Sequence, residues 1–224
     1  SAGVLAHLHP ALADRATLVT ALPPLPGGHY RVFADVVHET GFERTLVDSI
    51  TFAAPLQGTG VSRLDPDDAW FEGPTAALPA HRDVQVGDVA ISWAADPRPI
   101  AGAPGALRFT LRGVMGDSVR VESYLGMTGH AVVMRADGGV YIHLHPSGTT
   151  SMASEVAFTL RDRGDTTGDG RLRLQDAAMP TAAAQTVSEL SFPYAFPSAG
   201  HYRVWVQLRI RGRVRTAAWD VDVR

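Results

Sequence analysis

Near the C-terminus, Tyr202, Val204, Val206, Leu208 and Ile210 alternate with Arg203, Trp205, Gln207, Arg209 and Arg211. A period of two predicts a strand with one apolar face. Arg211-Gly212 then turns the chain, and Trp219, Val221 and Val223 alternate with Asp220 and Asp222 on the return. Tyr30–Val37, a turn near Thr40-Gly41 and Thr45–Phe52 follow the same plan more loosely. The prolines of Phe192-Pro-Tyr-Ala-Phe-Pro predict an edge or bulged approach to the last hairpin. Helix is expected only as short pieces, at Ala11–Leu18 and Ala177–Leu190. Residues Ala54–Ala80, with Gln57-Gly-Thr-Gly, Asp65-Pro-Asp-Asp and Gly73-Pro-Thr, are rich in turns and lack a strand period.

Two motifs recur in the same order. Gly-Val-x-x-His-Leu-His-Pro stands at Gly3–Pro10 and again at Gly139–Pro146, and Gly-His-Tyr-Arg-Val-aromatic at Gly28–Phe33 and again at Gly200–Trp205. Recurrence in register predicts a duplicated β unit. The second copy is preceded by further strand-like segments, Leu107–Leu111, Val119–Val121 and His130–Arg135, and the first is not. The expected fold is therefore all-β, with two related immunoglobulin- or cupredoxin-like sandwich units, the first lacking its N-terminal strands. The expected boundaries are 1–53 for the partial first repeat, 54–80 for a linker and 81–224 for a complete second sandwich.

Composition narrows the chemistry. The 224 residues carry a net charge of −3 with arginines interspersed among acids, so no nucleic-acid surface is expected. No apolar run reaches the roughly 20 residues that cross a bilayer as a helix. All 20 basic residues are Arg, which removes Walker-type phosphate loops and Schiff-base lysines. With Cys 0, thiol catalysis, disulfides and thiolate metal sites are also removed. No Gly-x-Ser-x-Gly elbow, His-Glu-x-x-His or dinucleotide fingerprint is present, and no enzymatic activity is expected.

The histidines carry the most specific signal. His130–Arg135 and Val140–His145 read as a hairpin closed by Asp137-Gly138, a strong two-residue turn sequence. That register sets His130 opposite His145 and Val132 opposite His143. Residues two apart on a strand share a face, so His130, His143 and His145 would emerge together, with opposed Cβ atoms about 5 Å apart. Such a cluster suits copper or zinc. Met127 and Met152, near the strand ends, offer soft thioethers that favour copper. Convergence depends on register, because a slip of one residue would turn His130 to the other face. Histidines on a strand also serve as a solvated face or as a hydrogen-bonded structural network. In the first copy, His7 and His9 lack a partner strand in this reading, and no site is expected there. His29 and His201 fall on outward faces, and the tyrosine beside each reads as a core or sandwich-corner residue.

A candidate calcium loop runs from Asp165 to Asp176, with Asp165, Thr167, Asp169 and Asp176 as oxygen donors and Gly170 at the sharp turn. The alternation at Arg171–Leu174 and the lack of a preceding helix argue instead for a polar hairpin tip.

Tyr124-Leu-Gly-Met-Thr-Gly-His130, the hairpin into His143-Leu-His-Pro146, and Phe196-Pro-Ser-Ala-Gly-His-Tyr-Arg-Val-Trp205 resemble the FixH-like and YtkA-like sandwich families of bacterial envelope proteins. The resemblance covers most of the second unit and the back half of the first. It implies an exported or membrane-anchored location, periplasmic or extracytoplasmic, and an association with copper or other metal handling. It makes His130, His143 and His145 the positions to test. Two functions follow as expectations: a non-catalytic metal-binding protein with copper favoured over zinc, or an assembly subunit that docks on the periplasmic face of a larger membrane complex. Unpaired strand edges in an incomplete first unit would favour the second.

Overall fold

The structure, a computed structural model, describes residues 3–14, 16–38, 40–58, 65–167, 171–172 and 183–224. The chain divides into two units, Ser1–Phe33 with Val47–Thr75 and Ala34–Leu46 with Ala76–Arg224. The first six strands are β1 (Val4–His7), β2 (Ala11–Leu12), β3 (Leu18–Val19), β4 (Gly28–Val37), β5 (Glu43–Phe52) and β6 (Ala69–Glu72). They pair as β1 with β6, β2 with β3, and β4 with β5. The outer end of the β4–β5 hairpin, Ala34–Leu46, belongs to the second unit.

The remaining elements are β7 (Ala76–Ala77), β8 (Asp83–Val86), β9 (Val89–Trp93), β10 (Ala106–Gly113), β11 (Val119–Val121), β12 (His130–Arg135), β13 (Tyr141–Leu144), α1 (Met152–Asp162), β14 (Gln185–Val187), β15 (Glu189–Pro193), β16 (Gly200–Ile210) and β17 (Arg213–Val223). One sheet runs β15-β10-β9-β8 and a second runs β13-β12-β16-β17-β7, with β11 and β14 as a separate pair. Each strand of the core contributes alternate residues. In β10, Leu107, Phe109 and Leu111 are buried while Arg108 and Arg112 are exposed. Ala131 and Val133 of β12, Val204, Val206 and Leu208 of β16, and Ala217, Trp219 and Val221 of β17 join the same core. Trp93 and Phe109 meet Trp219 at ring-centroid distances of 6.0 and 5.1 Å, so the two sheets pack face to face as a sandwich. Both Gly-His-Tyr motifs close a tyrosine corner. The Tyr30 hydroxyl donates to the Pro26 carbonyl at 2.7 Å, and that of Tyr202 to the Ser198 carbonyl at 2.8 Å.

Four local expectations differ from what is observed. Ala11–Leu18 forms no helix; β2 and β3 lie at its ends, joined by a turn in which Asp14 Oδ1 accepts from the Ala16 amide at 2.8 Å. Of Ala177–Leu190, the residues from Gln185 onward are strand, because their apolar positions Val187 and Leu190 fill the sandwich core; residues 177–182 lie outside the described set. The helix that does form, α1, was not expected. Ser151 caps it, its hydroxyl accepting from the Ser154 amide, with Glu155 in the first turn and Arg161 in the last, matching the helix dipole. Residues 54–80, expected as a linker without strands, contain β6 and β7. Among the described residues, no helix is long and apolar enough to cross a membrane.

Candidate metal centre

The β12–β13 ladder pairs Ala131 with Leu144, Val132 with His143, Val133 with Ile142 and Met134 with Tyr141, the register expected from the sequence. The turn differs in kind. A type I′ turn needs positive φ at both central residues, and only Gly138, at φ 71°, has it. Gly138 N–H donates to the Arg135 carbonyl at 2.7 Å, and Arg135 N–H to the Val140 carbonyl at 2.9 Å, so the ladder closes one step earlier around a four-residue loop. Asp137 Oδ1 fixes that loop by accepting from the Gly139 amide and Arg135 Nε, both at 2.8 Å. An even loop preserves register, and the histidines keep their common face. That face is opposite to the core, because the intervening Ala131, Val133 and Leu144 point inward.

Beyond Leu144 the strand ends in a turn. His145 and Gly148 exchange backbone hydrogen bonds at 2.7 and 2.9 Å, since Pro146 has no N–H with which to extend the ladder. At the other strand, Gly129 gives β12 its close approach to β16. A Cβ there would lie 2.6 Å from Leu208 Cδ2 and 3.1 Å from the Gln207 carbonyl.

The ring centroids of His130, His143 and His145 are 4.7 to 5.1 Å apart, and one nitrogen of each lies within 4.8 Å of the others. His130 and His145 are buried and His143 is half-buried. Two of the outward nitrogens have a carbonyl acceptor, and the third faces a carboxylate. His130 Nε2 lies 2.9 Å from the Tyr124 carbonyl, His145 Nδ1 lies 3.0 Å from the Thr150 carbonyl, and His143 Nδ1 lies 3.6 Å from Asp35 Oδ2. A carbonyl only accepts, so His130 carries its proton on Nε2 and His145 on Nδ1. The lone pairs are left on His130 Nδ1 and His145 Nε2. His130 Nδ1 is 3.0 Å from His143 Nε2, a hydrogen bond in which His143 is the donor. Anchoring the outer nitrogen to a carbonyl or carboxylate is what fixes the tautomer and orientation of metal-binding histidines.

The surroundings hold the rings still. The Tyr124 carbonyl is set by a tight turn in which Tyr124 and Met127 exchange backbone hydrogen bonds at 2.8 and 3.0 Å, with Leu125 and Gly126 at positive φ. The Tyr124 ring packs edge-on against His130 at 4.9 Å. Glu43 Oε1 accepts from Ser154 Oγ at 2.8 Å and from the Ser151 amide, tying the α1 cap beside Thr150. Burial pushes the Glu43 carboxyl up, but the hydrogen bonds from Ser151 and Ser154 outweigh it and leave the group below its ordinary value. Burial, with the charge of His143, pushes His145 down to about 4 despite the opposing hydrogen bond to the Thr150 carbonyl and the carboxylates of Glu43 and Asp35. Tyr141 is held far above its ordinary value by burial and then by Asp35, and stays a phenol.

The other candidate residues lie on other elements. Met127 is buried in the Tyr124–Met127 turn and Met152 opens α1. His29 and His201 are exposed. Of the calcium loop, Asp165 and Thr167 are described while Asp169 and Asp176 lie outside the described residues. Thr167 pairs with Arg171, its amide donating to the Arg171 carbonyl at 2.7 Å and its hydroxyl accepting from the Arg171 amide at 3.1 Å. Asp35 and Glu43 were not singled out in the sequence. They lie more than 100 positions before the residues they serve, and no local pattern links them.

A family model described as "Domain of unknown function (DUF8832)" matches residues 84–224, which include all three histidines and exclude Asp35 and Glu43. No curated protein and no solved structure matches the chain.

Proposed function

The chain belongs to this family of unknown function, DUF8832, and we propose that it binds a transition-metal ion through His130, His143 and His145. The observation that carries the reading is the pairing of inward lone pairs with anchored outward nitrogens. A structural network needs the outward bonds only. Setting one nitrogen of each ring within 4.8 Å of the others, mostly out of water, gathers two lone pairs and a third nitrogen that can free one at a point where a cation would bind all three. His143 donates from Nε2 in the metal-free arrangement, and Asp35 beside its Nδ1 supports the alternative tautomer. An incoming ion therefore has a route to the third lone pair in which the proton moves to the Asp35 side of the same ring.

Three imidazole nitrogens leave a further coordination position for water or an incoming ligand. All-imidazole sites hold Cu2+ more tightly than Zn2+, so copper is the favoured ion. The proposed role is binding rather than catalysis, in the extracytoplasmic location that the envelope-family resemblance implies.

The test is metal content after loading the purified protein with CuCl2 or ZnCl2 and desalting. The wild type retains one tightly held ion, and His143→Ala retains none while keeping its circular dichroism spectrum. A wild type that emerges metal-free overturns the proposal.

A further inference from the structure

The sequence motif that holds His143 and His145 occurs once more, with His7 and His9 in the matching places. The arrangement is reproduced in space. The His7 and His9 rings lie 4.8 Å apart with planes at 50°, against 4.7 Å and 53° for His143 and His145. Contrary to the expectation that this copy has no partner strand, β1 pairs with β6 from Val4–Glu72 through His7–Ala69. Continued past that pair, the register brings the Asp67-Asp68 turn across from His9, where the second copy presents His130.

Asp68 orients the His9 ring. Its Oδ1 accepts from the His9 amide at 2.7 Å and from His9 Nδ1 at 3.1 Å, and Asp68 is only 2% exposed. Asp65 Oδ1 lies 3.9 Å from the same Nδ1. With the Nδ1 proton given to a buried carboxylate, the lone pair falls on His9 Nε2. That atom is buried and has no hydrogen-bond partner among the described residues. A buried acceptor left unmatched costs free energy, and a carboxylate-held imidazole with a bare second nitrogen is the form in which metal-ligating histidines are presented.

We infer that His7 and His9 form a second metal site, for a borderline divalent cation such as Cu2+ or Zn2+, separate from the three-histidine centre. It has two imidazoles where the other has three, so it binds more weakly, with water or an incoming ligand completing the coordination. Its residues belong to the first unit, and it stands or falls independently of the function proposed above.

The full chain is titrated with ZnCl2, and separately CuCl2, against a chromophoric chelator. The wild type is expected to take up two ions, the second at least tenfold more weakly. His9→Ala retains only the tight ion, and His145→Ala retains only the weak one. Asp68→Asn weakens the second site about tenfold to a hundredfold and leaves the first unchanged. Should His9→Ala fail to fold by circular dichroism, His7→Gln and Asp68→Asn carry the same comparison. Uptake of a single ion that His9→Ala does not affect overturns the inference, as does uptake of two ions that are both indifferent to His9, His7 and Asp68. A single ion lost in His9→Ala and kept in His145→Ala upholds this site and removes the three-histidine one.

Discussion

His145 illustrates how a side chain is tuned by what surrounds it. Burial lowers its pKa from the ordinary 6.5 to about 4, so the folded protein keeps it neutral where the unfolded chain protonates. Above pH 6.5 neither state is charged and the contribution to stability is full. Between 6.5 and about 4 the unfolded chain takes up a proton that the native state refuses, and stability falls. The expected loss is about 2–3 kcal/mol. Urea unfolding of metal-free protein at pH 7 and pH 4.5 measures it, with His145→Gln as the reference. The wild type should lose about 2 kcal/mol more than the variant over that interval, and equal losses would contradict the assignment. Asp35 acts on the site through His143. Replacing Asp35 by Asn removes the charge facing Nδ1, and Cu2+ affinity should fall about tenfold to a hundredfold. The thermal midpoint should be nearly unchanged, because this side chain is 38% exposed, and Asp35→Glu should recover part of the affinity. Unaltered affinity in Asp35→Asn would remove the carboxylate from the account. Neither acid could be found by reading along the chain, because the contacts that matter join β4 and β5 to β13 and α1.

At the scale of elements, the hairpin from His130 to His145 was legible because alternation and an Asp-Gly turn determine register together. The turn type was not, since one positive-φ glycine selects a four-residue loop over the two-residue one, and both are even. Helix α1 was missed for a different reason. Its cap and dipole-matched ends are local signals, but they sit in a chain whose surrounding periodicity is β. Within Ala177–Leu190, Gln185–Val187 and the start of Glu189–Pro193 are strand because Val187 and Leu190 pack into the sandwich core, a long-range contact that local composition does not announce. The spacing of β12 and β16 rests on Gly129. A methyl group there meets Leu208 and the Gln207 backbone, so Gly129→Ala should destabilise the protein by about 1–3 kcal/mol. It should weaken metal binding more than an overpacking change elsewhere in the sandwich, because His130 follows directly. Denaturant midpoints and copper titration of Gly129→Ala beside Ala217→Val separate the two effects. Equal affinities in the two variants would show that strand spacing does not set the site.

Across the whole molecule, the all-β class and the large sandwich were readable from short alternating segments and turn residues. The recurrence of the His-Leu-His-Pro and Gly-His-Tyr motifs was readable too. What stayed hidden were the long-range pairings. Strand β6 comes from a stretch that looks like a turn-rich connection, yet it lies against β1, and Ala34–Leu46 belongs to the second unit although the chain leaves and re-enters the first around it. Local periodicity carries no information about such pairings, because their free energy comes from surfaces meeting across many residues.

The central claim concerns which nitrogen of each ring faces the ion, and long-range 1H–15N spectra of protein labelled in its histidines read that directly. The metal-free protein should show His130 protonated at Nε2 and His145 at Nδ1. The first equivalent of Zn2+ should shift His130 Nδ1, His143 Nε2 and His145 Nε2 together. Spectra in which these three rings ignore the first equivalent, or in which the outward nitrogens respond in place of the inward ones, would contradict the account.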